Sequence, residues 1–141
     1  MASDAAAGNP GGAPRARPVS PHLQIWRWTP TMAASITHRV TGAALYAGTI
    51  GLAVLVFAAA AAPGLYQLIA GVLGSPFGAL ILFGYAFAIV FHTLNGLRHL
   101  YWDMGRGLDV KSARMTAILA FVAALLAAIV IIIAAMSARG A

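Results

Sequence analysis

Three stretches without a single charge dominate the chain: Val40–Ala62, Phe77–Leu97 and Met115–Met136, of 23, 21 and 22 residues. An α-helix needs about 20 apolar residues to cross a bilayer core, so each stretch predicts a transmembrane helix. With their flanks they give helices at about 31–62, 77–103 and 113–137. Thr29 followed by Pro30 reads as an N-cap with proline at the first helical position. The link Pro63–Pro76 carries proline and glycine at both ends and no charge, whereas the link Arg98–Arg114 holds Arg98, Arg106, Lys111 and Arg114.

Upstream, residues 20–30 place Ile25, Trp26 and Trp28 around Arg27. Indole rings favour the headgroup level, so this segment predicts an interfacial anchor. Residues 1–18 are mainly Ala, Gly and Pro and read as a disordered tail. They hold no apolar core of the kind a signal peptide needs. Residues 19–141 then form one membrane-anchor domain.

Composition supports this picture: 61% of the residues are hydrophobic and 9% are charged. A soluble domain carries about 25% charged residues. The net charge of +6 comes from residues flanking the apolar runs, which suits topology and anionic lipid and gives no patch for nucleic acid. Arg15, Arg17, Arg27 and Arg39 precede or open the first run, four more basic residues fill the second link, and only Arg139 follows the last run. By the positive-inside rule the N-terminus and second link are cytoplasmic and the C-terminus is periplasmic. The absence of cysteine excludes thiolate metal sites and thiol catalysis on this chain. Asp4, Asp103 and Asp109 all lie outside the apolar runs, which disfavours both a paired-carboxylate hydrolase and a cation transporter.

Two polar clusters carry the candidate chemistry. Ser35, His38, Arg39, Gly42 and Tyr46 fall within about 100° on one helix face. Basic groups at this depth should face protein, a cavity or a ligand, unless Arg39 merely snorkels to the interface. His92, Gly96, His99 and Asp103 lie within about 60° on another helix, with Asn95 beside them. His92 lies about 8 Å inside the end of its run, and a neutral imidazole there could bind haem iron or hydrogen-bond a neighbouring helix. Gly96 removes bulk where a flat macrocycle would approach, while Arg98 and His99 could meet its propionates. Measured from the run edges, His38 is shallower than His92 by several ångströms. A second axial ligand for iron on His92 would therefore come from another subunit.

Three segments resemble the cytochrome b556 membrane-anchor family of succinate dehydrogenase, respiratory complex II. They are RPVSPHLQIW at 17–26, SITHRVTG at 35–42 and HTLNGLRHLYWDMGRGL at 92–108. Trp26 stands where the family usually has tyrosine. The resemblance implies that His92 is an axial ligand of haem b and its iron. It also implies that Ser35 and Arg39 line a ubiquinone pocket, with His38, Arg39 and His99 near the haem propionates. No succinate chemistry would occur on this chain. A flavoprotein subunit with FAD, an iron–sulfur subunit with its clusters and a second anchor subunit would be its partners. Its place would be the bacterial inner membrane, or the mitochondrial one. The alternatives are the anchor of a fumarate reductase or a non-catalytic membrane assembly subunit.

Overall fold

A computed structural model describes residues 25–140. The tail at 1–18, His22, and all but Ile25 and Trp26 of the 17–26 motif lie outside the described residues. The described residues form four helices: α1 (Pro30–Ala61), α2 (Pro63–Gly74), α3 (Pro76–Asp103) and α4 (Val110–Gly140). Of these, α1, α3 and α4 are long and apolar enough to cross a membrane. The fold is an all-α transmembrane bundle.

Each start has a local cause. Thr29 caps α1, its Oγ1 accepting the Met32 amide at 3.3 Å, with proline at the first turn. Trp26 and Trp28 lie just before it, exposed, their rings edge to face with centroids 5.1 Å apart. Ser75 caps α3, where its Oγ accepts the Gly78 amide at 3.1 Å and donates to the Val72 carbonyl at 2.6 Å. The stretch read as a link between the first two spans is thus largely helical. Its prolines are helix starters at Pro63 and Pro76, and α2 buries no residue.

The second link is shorter than its charges suggest, because α3 continues through Asp103 and α4 begins at Val110. The turn between them uses positive φ at Gly105 (73°) and Gly107 (68°), a region costly for other residues. Trp102 Nε1 donates to the Gly107 carbonyl at 3.0 Å and ties the turn to α3.

Packing is densest between α3 and α4. Ala117, Ala120, Ala124 and Ala128 recur every three or four residues and are buried, forming a smooth face on α4. Small side chains let helix backbones approach closely where lipid offers no hydrophobic drive. Phe91 fills the space against that face, with the Phe121 ring centroid 4.6 Å away and Ala34 of α1 closing the cluster. This anchors α3 against its neighbours, and the adjoining side of α3, with His92 and His99, faces α1.

Candidate functional site

His92 is held by α1. Its Nδ1 lies 3.1 Å from the His38 carbonyl oxygen and 3.2 Å from Thr41 Oγ1. A carbonyl oxygen can only accept, so Nδ1 carries the proton and Nε2 is left with a free lone pair. The Thr41 hydroxyl donates to the backbone carbonyls of Thr37 and His38 at 2.8 and 3.0 Å, so its oxygen is free to accept from His92. Gly42 completes the seat, since a Cβ there would stand 3.0 Å from His92 Cε1.

The His38 ring lies on the His92 ring, centroids 3.9 Å apart and 11° from parallel. The two rings touch, so they differ in depth by at most the 3.9 Å between their centroids, which narrows the expectation that His38 is shallower. That expectation measured depth from the ends of the uncharged runs. Counted from the helix ends, His38 lies eight residues inside α1 and His92 eleven residues inside α3, a smaller offset than the run edges give. His38 Nδ1 is buried and has no hydrogen-bond partner among the described residues.

His99 follows along the same seam, its ring centroid 5.4 Å from that of His38 and edge-on to Trp102. Its Nε2 lies 3.2 Å from Asn95 Nδ2. Asn95 and Arg98 turn the other way and are buried at 0% and 7% exposure. Arg98 donates from Nε to Thr116 Oγ1 (3.0 Å), from one terminal nitrogen to Asn95 Oδ1 (3.1 Å) and from the other to the Ala113 carbonyl (2.8 Å). Its guanidinium also stacks 4.0 Å above the Trp102 ring. The expectation that Arg98 reaches out to propionates is corrected: it is a clamp between α3 and α4. Asp103 is exposed, and Gly96 would meet nothing within 4 Å if it bore a Cβ.

The α1 face read from spacing divides in the structure. His38 and Gly42 turn to α3, Ser35 is half-buried, and Arg39 and Tyr46 are exposed. The side chains of Ser35 and Arg39 form no hydrogen bond to other described residues. A cavity of about 330 Å³ at this end is lined by Thr31, Trp102, Leu108, Val110, Ala113 and Arg114. It brings the start of α1, the end of α3 and the start of α4 together.

Residues 13–131 match the family described as the succinate dehydrogenase/fumarate reductase transmembrane subunit. The chain belongs to that family. It is 41% identical over 97 residues to the succinate dehydrogenase cytochrome b556 subunit of Paracoccus denitrificans, covering 69% of this chain and 75% of that one. It is 36% identical over 115 residues to the mitochondrial cytochrome b560 subunit of Sus scrofa, covering 80% and 68%. The Rickettsia bellii cytochrome b556 subunit is 35% identical over 100 residues, 71% of this chain and 78% of that one. A multi-pass inner-membrane subunit of an enzyme complex is thereby established.

Within this family member, the structure gives roles to Thr41, which spacing did not single out, and to Asn95, which spacing placed only beside the histidine cluster. Thr41 orients His92, and Asn95 joins Arg98 to His99. The signal for Thr41 was local: a threonine three residues after His38, on the side of α1 that must face α3. For Asn95 the signal was an amide inside an apolar run, which demands a partner.

Proposed function

We propose that this chain is the haem b-binding membrane anchor of a succinate dehydrogenase, holding the flavoprotein and iron–sulfur subunits at the membrane and helping to form the ubiquinone-reduction site. The observation that carries the haem reading is the His92 seat. Ligating histidines commonly donate their other ring N–H to a backbone carbonyl, which fixes the tautomer and the ring direction. His92 does this to His38 and keeps Nε2 for iron. When bound, the haem would supply a one-electron carrier.

Any second ligand to the iron would come from the other anchor subunit, because His38 stacks face to face on His92 and would pack the ligating ring in place of sharing the iron with it. His38 and His99 edge the same seam and suit the propionate end. Ser35 and the exposed Arg39 lie one turn apart near the basic end of the bundle. There the serine hydroxyl can donate to a quinone carbonyl, and the fixed positive charge of Arg39 favours the electron-rich oxygen formed on reduction. The eight basic residues at or before Arg114 support a cytoplasmic position for that end.

A reduced-minus-oxidised spectrum of the purified complex tests the reading. The b-type band should be present and should be lost in His92→Ala with the subunits still assembled. A band that survives unchanged in His92→Ala would remove this residue as ligand.

A further inference from the structure

Arg98 commits all three guanidinium nitrogens to named acceptors and is nearly inaccessible. A guanidinium only donates, so the Asn95 atom facing it must be the carbonyl oxygen. That choice settles the whole amide: Asn95 Nδ2 is the end directed at His99 Nε2, 3.2 Å away. An amide nitrogen also only donates, so His99 Nε2 must accept and carries no proton. The ring proton is then on Nδ1. Because Asn95 is fully buried, no water is at hand to let the amide turn over.

We propose that Arg98 is a positioning residue for His99: through Asn95 it fixes the imidazole tautomer, so that Nδ1–H is the donor His99 offers beside His38, suited to an anionic carboxylate. The carboxylate partner rests on the reading of His99 as edging the haem propionates; the tautomer does not. Two consequences follow. His99 Nε2 is spent and cannot ligate iron, which separates His99 from His92 although both lie on one face of α3. The clamp between α3 and α4 also becomes a control on the α1–α3 seam, because one side chain belongs to both.

Nitrogen-15 spectra of the histidine-labelled, membrane-embedded complex test the relay, with His99 assigned as the resonance lost in His99→Gln. The native Nε2 should be pyridine-like and Nδ1 pyrrole-like. Asn95→Asp keeps the shape and still accepts from Arg98, but its second oxygen cannot donate. Nε2 should therefore become pyrrole-like, while in Asn95→Ala the two tautomers should mix. A proton-bearing Nε2 in the native complex, or an unshifted nitrogen in both variants, overturns the relay. A redox titration separates the two parts of the proposal: Asn95→Asp should move the haem midpoint potential with haem content retained. A switched tautomer with an unmoved potential overturns the carboxylate assignment and leaves the relay standing.

Discussion

His38 and His92 stack with ring centroids 3.9 Å apart, and the His38 carbonyl takes the proton of His92 Nδ1. One residue thus supports the other twice, through its backbone and through its ring. The backbone contact explains why the site depends on α1 holding its register against α3. A shift of one residue would move the carbonyl about 1.5 Å along the axis and rotate it by about 100°.

Thr41 shares that proton, so Thr41→Val should weaken haem binding while preserving shape. Loss of a group that orients a ligating histidine typically costs 10–100-fold in affinity. Here the His38 carbonyl remains, so roughly 10-fold is expected. Thr41→Ser should restore binding. Haem retained per complex during dilution measures this, and equal retention in Thr41→Val and the native complex would show that the carbonyl suffices.

Gly42 sets how closely α1 can approach the ring. A Cβ at 3.0 Å from His92 Cε1 is tighter than ordinary carbon contact, about 3.5–4.0 Å, so Gly42→Ala should displace the ring by a few tenths of an ångström. The expected result is a shifted haem spectrum with haem retained, and haem loss in the bulkier Gly42→Val. Gly51→Ala is the control, because a Cβ there meets nothing within 4 Å. Spectra of Gly42→Ala and Gly51→Ala that cannot be told apart would contradict the close seat.

Much of this was legible from residue order alone, for a physical reason. Apolar run length is dictated by bilayer thickness, so three spans could be read without tertiary knowledge. Run edges exaggerated the offset of His38 from His92, since polar and charged residues end an apolar run before they end the helix. Pro63 and Pro76 read as breakers because proline stops one helix and starts another with the same residue. Arg98 could not be placed from sequence. Its acceptors Ala113 and Thr116 lie on the next helix, across a turn whose geometry depends on Gly105 and Gly107. The roles of Ser35, Arg39 and His99 rest on the family resemblance and on where the structure places them.

Arg98 should matter more for stability than any exposed arginine. Arg98→Leu removes two bonds that cross-link α3 to α4, worth roughly 0.6 kcal/mol each among membrane helices. It also orphans the buried Asn95 carbonyl, at about 1–3 kcal/mol. A loss near 3 kcal/mol is expected, read as a lower unfolding midpoint for the complex in detergent. Arg98→Lys should recover little, since one ammonium cannot reach Asn95, Thr116 and Ala113 together. Full recovery in Arg98→Lys would show that charge alone is required.

Quinone chemistry should separate from haem binding at Ser35 and Arg39. His92 makes its hydrogen bonds to His38 and Thr41, so Ser35→Ala and Arg39→Ala should leave the b-type band intact. Both should lower succinate-dependent quinone reduction by about 10-fold or more, the scale on which one oriented donor acts in catalysis. Electron delivery to a dye that accepts directly from the soluble subunits should be unchanged. Parallel loss of band and quinone activity would instead mean that both residues hold the α1 face together, with no separate part in the quinone site.

Asp109 gives the bundle a pH-dependent element outside the membrane. Its Oδ1 accepts the Ser112 amide at 2.8 Å at the start of α4, and its carboxyl is held below the ordinary carboxylate range first by the Ser112 side chain and next by that amide. A lowered folded-state pKa means the contribution is full above the ordinary carboxylate range and fades as pH falls through the folded value. Asp109→Ala should therefore lower the unfolding midpoint at neutral pH, and the gap to the native complex should close on acidification below the ordinary carboxylate range. Asp109→Asn should behave like the native residue at neutral pH, because an amide oxygen caps as well as a carboxylate. It should also keep its advantage over alanine in acid, where the aspartate cap weakens. A gap between Asp109→Ala and native that stays constant from neutral pH into acid would mean that the cap acts through backbone shape, with the carboxylate charge making no contribution.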